Sequence, residues 1–271
     1  MTDRDQPLRV PGFDHHLLHF HDNDGRSLVT AVSRFVAEGL RLGEGVVLIA
    51  RPEHARAITA AVDEAGLDAA AAMGADRLVV VDALQLLAAI LIEGHPDATR
   101  FRAAIDPALA RAQCAARGAG VRVYGEMVGL FWEHDRRDAA SELETLWNGR
   151  LREGEFTLFC AYPIDVFGPQ FSIGAVDVLL CEHTHVVPAQ DDAALAEAVD
   201  RAMSEVLGRR AEGLRLLIKP NFRPAWAALP RGQATILWVR NNLPEYASEI
   251  LARARDAYQA ARYSNAGASS R

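Results

Sequence analysis

Several residues able to bind a small ligand directly follow, or close, short apolar runs. Asp22, Asp24, Gly25, Arg26 and Ser27 come after HLLHF, Arg51 after GVVLIA, Asp82 near the end of LVVVDA, and Glu126 near the end of VRVYGEM. If those runs are strands of an open parallel sheet, all these positions lie at strand carboxyl ends, where such sheets bind ligands. Position at a strand end does not by itself identify a ligand. Taken singly, Asp24 reads as a helix cap and Asp82 as a strand end.

The first junction, FHDNDGRS over residues 20–27, sits where a phosphate-binding loop GxxxxGK[ST] would sit. Gly25-Arg26-Ser27 fills the GK[ST] end, but Phe20 replaces the leading glycine and Arg26 the lysine. Asp22 and Asp24 would repel a triphosphate, because a phosphate cradle needs a positive field. The junction reads as a phosphate loop without its function. Two HxH pairs, His19/His21 and His183/His185, would each present two imidazoles on one strand face. Together they would complete a tetrahedral zinc site if the segments met, with Cys181 beside His183 and with His15 and His16 near the first pair. The plainer reading is that these histidines bond to backbone or carboxylates. Cys160 lies inside an apolar strand and reads as an inert core thiol. No serine sits in a GxSxG elbow. Glu126 and Glu133 have no diagnostic spacing, and Tyr124, Trp132, Trp147 and Tyr162 read as core before pocket.

The positioning elements alternate. HLLHFH (16–21) predicts a short strand, and Leu28, Val32, Phe35, Val36 and Leu40 mark one stripe of a helix over 26–41, with Asp24 as cap and Gly43 as stop. GVVLIA (45–50) reads as a strand buried on both faces. An alanine-rich helix follows over 53–65, then a strand over 78–83, a helix over 98–117 and a strand over 121–127. A helix carrying Leu143, Leu146, Trp147 and Leu151 leads to a strand over 156–163. The predicted fold class is α/β, a mostly parallel central sheet flanked by helices in three layers, with a helical C-terminal segment. Residues 191–217 form one amphipathic stretch through Leu195, Val199, Ala202, Val206, Ala211, Leu214 and Leu217. A proline-punctuated connector, a short helix through Ile236, Leu237 and Val239, and a last helix from Pro244 with Asn242 near its cap complete the chain. The division is a tail over 1–12, an α/β domain over 13–188, a helical region over 189–263 and a frayed tail over 264–271.

The 271 residues are 50% apolar and 24% charged, enough for a full core without disulfides or metal staples. The three cysteines are widely spaced, which suits a reducing cytoplasm. No apolar run is long enough to span a membrane, and the N-terminus lacks the apolar core of a secretory signal. A net charge of −7 argues against direct nucleic-acid binding. Arg209, Arg210, Arg215, Lys219, Arg223 and Arg231 nevertheless make the C-terminal region locally basic.

FVAEGLRLGEGVVLIARPEH (35–54), LVVVDA (78–83), GVRVYGEMVGLFWE (120–133), LETLWN (143–148), FTLFCAYP (156–163) and CEHTHVVP (181–188) occur in an order that resembles the MEDS domain, the methanogen/methylotroph DcmR-type sensory domain. The resemblance covers about residues 13–188. It implies a cytoplasmic prokaryotic signal-transduction module that senses small molecules, with simple hydrocarbon derivatives as the class. The FxxEGLxxGE pattern is also similar to RecA/KaiC-like ATPases. That likeness puts Gly25-Arg26-Ser27 at the Walker A position and Glu126 near the Walker B acid, on a scaffold without catalysis. DcmR-type regulators carry a helix-turn-helix, and residues 1–12 are too few for one.

The resulting expectation is a non-enzymatic sensor that binds a small molecule at the strand ends, with no cofactor other than zinc on the histidine pairs. It would signal through its C-terminal helices or to a protein partner, a kinase or a regulator. The stripe over 191–217 also admits a homo-oligomer. The competing readings are a nucleotide-dependent ATPase with an unorthodox loop and a transcription regulator that binds DNA through the C-terminal helices.

Overall fold

Continuous apolar runs in the chain become strands buried on both faces, and the stripes between them become the helices that cover those faces. The computed structural model describes residues 15–22, 25–154, 156–188, 191–221 and 229–268. The chain begins with β1 (His16–Phe20), α1 (Arg26–Arg41), β2 (Gly45–Ala50), α2 (Pro52–Glu64), α3 (Ala69–Gly74) and β3 (Leu78–Asp82). It continues through α4 (Ala83–Ile90), β4 (Leu91–Ile92), β5 (His95–Pro96), α5 (Ala98–Ala116), β6 (Val121–Gly125), α6 (Met127–Glu133), α7 (Arg137–Leu151) and β7 (Phe156–Tyr162). The remainder is α8 (Ile173–Glu182), β8 (His185–Val187), α9 (Asp192–Leu207), α10 (Arg210–Asn221), α11 (Arg231–Asn242) and α12 (Pro244–Ala268).

Six strands form one parallel sheet in the order β3-β2-β6-β7-β1-β8, while β4 and β5 make a small antiparallel hairpin. Alternation along the strands sorts side chains onto two faces. One face carries Leu17, Val46, Leu48, Ala50, Tyr124, Phe159 and Ala161, and α1, α2 and α3 cover it with Phe35, Leu40, Ile58 and Ala69. The opposite face carries Phe156 and Tyr162. Trp147 of α7 packs edge-on against Phe156 at 6.5 Å and against Phe101 of α5 at 4.9 Å, and Trp132 of α6 meets Tyr162 at 5.3 Å. The α/β three-layer arrangement expected from the alternating pattern is therefore present. Two glycines permit close helix–sheet approach. A Cβ on Gly45 would lie 2.3 Å from the Ala112 carbonyl oxygen of α5, and one on Gly129 would lie 2.7 Å from that of Ala161.

The chain divides into two compact units, Met1–Pro163 with Glu182–Val187, and Ile164–Cys181 with Pro188–Arg271. The first contains the whole sheet. The second is built around Leu195, Val199, Ala202 and Met203 of α9, Ile236, Leu237 and Val239 of α11, and Ile250, Ala254 and Tyr258 of α12, all buried. Arg240 donates to the carbonyls of Phe167 and Gly168 at 2.8 and 2.9 Å, and Arg255 pairs with Asp165, which fastens the 164–181 segment to these helices.

Several elements differ from the sequence expectation. The stretch over 191–217 is two helices, because Gly208 takes φ 58° between α9 and α10. Leu195, Val199 and Ala202 before the break and Ala211 just after it are buried, whereas Leu217 is 51% exposed, so the buried stripe fades along α10. Asn242 ends α11, its amide donating to the Trp238 carbonyl at 2.9 Å, and does not cap α12. The strand expected over 121–127 closes at Gly125. The N–H of Glu126 still donates to the Ile49 carbonyl at 3.0 Å, and α6 starts at once. The pieces α3, α4, α6, α8, β4, β5 and β8 have no counterpart in the sequence expectation. Two of the local basic residues, Arg215 and Arg231, are both paired with Asp200. Lys219 and Arg223 have no described side chain.

Candidate functional site

Strands β2 and β6 are neighbours, but the chain leaves them in opposite directions. From β2 it passes through α2 on one face to β3, and from β6 it passes through α6 and α7 on the other face to β7. The crevice at such a topological switch point is the ligand position of open α/β sheets. Arg51 immediately follows β2 and Glu126 immediately follows β6, so the fold places both there.

Glu126 is 2% exposed, and its carboxylate accepts from three donors. Arg51 donates its backbone N–H to Oε2 at 2.8 Å and its Nε–H to Oε1 at 2.7 Å. His54, in the first turn of α2, donates Nδ1–H to Oε1 at 2.7 Å, because a carboxylate can only accept. Arg51 extends through Nη2 to Glu133 Oε1 at 2.5 Å, which ties the end of α6 to the start of α2. Burial opposes ionisation of Glu126, yet the hydrogen bonds from His54 and Arg51 hold its pKa below the ordinary value. The same hydrogen bond raises the pKa of His54 against its own burial. Burial likewise works against the charge on Arg51, and Glu133 and Glu126 outweigh it.

The first loop lies beside this cluster. Gly25 caps α1 in the left-handed region at φ 67°, and a Cβ there would stand 3.5 Å from His54 Nε2. Ser27 donates to Asp22 Oδ1 at 3.3 Å, and Arg26 is exposed in the first turn of α1. Asp24 lies outside the described residues, so its expected capping role is not described. Asp82 occupies the same rim one strand further out, opposite Ala50. It caps α4, with Oδ1 accepting from the N–H groups of Leu84 and Gln85 at 2.8 and 3.2 Å. A surface recess lined by Ala75, Asp76, Ala110, Arg111, Cys114 and Ala115 lies before β3, toward the amino ends of the strands.

The two HxH pairs do not form one centre. His19 lies on β1 and His21 one residue past its end, their rings stacked 6.5 Å apart. His21 donates Nδ1–H to the Asp22 carbonyl at 2.9 Å, and burial lowers its pKa. His19 donates Nδ1–H to the Val187 carbonyl at 3.3 Å, and burial followed by His21 lowers its pKa to about 4. His183 and His185 are not strand neighbours, because β8 starts only at His185. His185 is exposed and meets the ring of His15 at 4.8 Å, while His183 is buried and turns to His16 at 4.0 Å. Two buried polar atoms on the α1–α3 face have no hydrogen-bond partner among the described residues: Nε2 of His19 and the hydroxyl of Tyr124. Both rings flank Phe159, at 6.1 and 5.8 Å.

A second polar cluster lies on the opposite face of the sheet. His16, Glu144, Cys160 and His183 are all buried, and one ligand atom from each falls within 4.8 Å of the others. Tyr162 donates its hydroxyl to Glu144 Oε1. Burial opposes ionisation of Glu144, yet His183, His16 and Tyr162 hold its pKa at about 2. Burial, then His183, lowers that of His16 to about 4. Burial raises the Cys160 thiol well above its ordinary value.

His54, His16 and Glu144 were not identified as site residues by sequence reasoning. For His54 the local signal was its place three residues after Arg51, in the first turn behind a strand. His16 and Glu144 lie far apart in sequence and carry no local signal.

The comparisons place most of the chain in one family model. The description is MEDS, MEthanogen/methylotroph, DcmR Sensory domain, and the match runs over residues 14–184. None of the curated proteins matches the chain.

Proposed function

We infer the function from one premise: this chain belongs to the MEDS family of sensory domains. That membership fits a role in signal transduction. On our reading the sheet unit binds a small hydrocarbon derivative at the switch point between β2 and β6 and does not turn it over. The bound state is then passed to the C-terminal helices or to a signalling partner, a kinase or regulator. A ligand can act this way only by binding two arrangements with different affinity.

The observation that carries this reading is the ionic cluster of Arg51, His54, Glu126 and Glu133 at the strand carboxyl ends. Arg51 and His54 retain 22% and 20% exposure, so they are reachable, while Glu126 behind them fixes their orientation. The hydroxyl of Tyr124 and Nε2 of His19, without a hydrogen-bond partner among the described residues, support a polar guest on the α1–α3 face, since an unsatisfied buried group costs about 1–3 kcal/mol. Binding without turnover is supported by the state of Glu126. A carboxylate held ionised by three donors is a poor general acid and a weak base.

The test is thermal unfolding of the purified protein against a panel of short-chain alkyl halides, alcohols, amines and carboxylates. A ligand present at about 100 times its Kd stabilises by about 2.7 kcal/mol. The expected result is a rise in Tm for one chemical class, lost in Glu126→Gln. An equal rise in that variant would overturn the assignment.

A further inference from the structure

We propose that the second cluster is a buried site for a divalent transition-metal ion of the zinc type, held by His16 Nε2, Cys160 Sγ, His183 Nε2 and a carboxylate oxygen of Glu144. The proposal is independent of the ligand reading above, because these residues lie on the opposite face of the sheet.

The separations among His16 Nε2, Cys160 Sγ and Glu144 Oε2 are close to those around a tetrahedral ion, and His183 completes a set whose ligand atoms all lie within 4.8 Å of one another. Bonds of about 2.0–2.3 Å imply ligand–ligand edges of about 3.3–3.8 Å. His16 Nε2 stands 3.3 Å from Cys160 Sγ and 3.3 Å from Glu144 Oε2. Cys160 Sγ stands 3.9 Å from Glu144 Oε2, while His183 Nε2 stands 3.4 Å from the other carboxylate oxygen, Oε1, and would close on the ion from that side. The donors come from β1, β7, α7 and the segment before β8, so the site staples non-local pieces of the sheet unit.

The surrounding hydrogen bonds aim the donors inward. Asn148 gives its amide N–H to Glu182 Oε2 at 2.7 Å, so its oxygen is the atom facing His16 Nδ1 at 3.0 Å. Nδ1 of His16 must therefore carry a proton, and in the neutral ring that burial favours Nε2 presents its lone pair to the cluster. This partner fixes tautomer and ring orientation as in known metal–histidine sites. The lone pair then faces Cys160 Sγ and Glu144 Oε2, each at 3.3 Å, so the thiol proton satisfies it when no ion is bound and a cation shared by the three atoms would take that proton's place. Tyr162 donates to the other oxygen, Oε1, and so leaves Oε2 available. Metal binding would form the metal–sulfur bond and release the Cys160 thiol proton to solvent. The product is a dication held by one thiolate, one carboxylate and two neutral imidazoles. Its net charge is zero, which lowers the cost of complete burial. Four protein ligands without an open position mark a structural site, not a catalytic one.

The full-length protein, stripped with chelator, is incubated with Zn2+ or Co2+ and desalted. Native mass should exceed the denatured mass by about one metal ion per chain. The Co2+ form should show a thiolate-to-cobalt charge-transfer band and the intense visible bands of tetrahedral cobalt. Cys160→Ser should lose the charge-transfer band, and His183→Gln should weaken binding at least about tenfold. A native mass equal to the bare polypeptide, or a cobalt spectrum without the thiolate band, overturns the proposal, as does a band that persists in Cys160→Ser. If a variant fails to fold, the spectrum of the unsubstituted protein decides alone.

Discussion

At 2% exposure, a carboxylate at position 126 is tolerable only because Arg51 and His54 surround it. This pairing makes a pH prediction. The folded state raises the pKa of His54 above 6.5, so folding takes up a proton where the unfolded chain would not. The contribution to stability is fully present below pH 6.5 and is lost as pH rises through the higher folded value. NMR titration of His54 should give a midpoint above 6.5, and Glu126→Gln should bring it down, since the hydrogen bond to the carboxylate is the first cause of the shift. An unmoved midpoint would mean that Glu126 does not hold His54 in solution. Asp82 behaves differently, because its oxygen is committed to the N–H groups of Leu84 and Gln85. Asp82→Ala should lower unfolding stability by about 1 kcal/mol, as loss of a helix cap does, in a denaturant titration. The placement of Arg51 and Glu126 at strand carboxyl ends was legible because each follows an apolar run. The partner His54 was not, since a histidine in a first helical turn has many plain roles. Nor was the cluster of His16, Glu144, Cys160 and His183, whose members meet only after β1 pairs with β7.

The elements that set these positions depend on close backbone approach. Gly45 opens β2 directly against α5, where a Cβ would sit 2.3 Å from the Ala112 carbonyl oxygen. Gly45→Ala should therefore destabilise by about 1–3 kcal/mol, the usual range for overpacking, while Gly66→Ala meets no atom within 4 Å. Gly66 takes φ 81°, so that second change costs conformational strain instead of a clash. Calorimetry of both variants, with crystallography of the Gly45 variant, separates the two causes: a shifted α5 is expected only for Gly45→Ala. The long parallel strands were legible because strands buried on both faces read as unbroken apolar runs. The two-residue strands β4 and β5, the three-residue β8 and the apolar helix α8 were not, because such short pieces carry no resolvable periodicity. The split of 191–217 at Gly208 was missed for a related reason. The apolar stripe extended across the glycine on paper, whereas the backbone turns there.

At the scale of the molecule, the six-stranded sheet and both polar clusters fall in one compact unit, and α9 to α12 build the core of the other. Among the described residues, no helix is long and apolar enough to cross a membrane. Ile250 is completely buried in the helical unit, so Ile250→Ala should remove about 2–5 kcal/mol. Hydrogen exchange should accelerate in α9, α11 and α12, and unchanged rates there would contradict the packing described. The sensing account concentrates on one place, the switch point between β2 and β6, where two neighbouring strands send the chain to opposite faces. Amide NMR of the full-length protein, titrated with the ligand class found by thermal shift, tests that claim most directly. Shifts centred on Gly25, Arg51, His54 and Glu126 are expected, and they should vanish in Glu126→Gln. Shifts centred elsewhere, or unchanged in that variant, would contradict it.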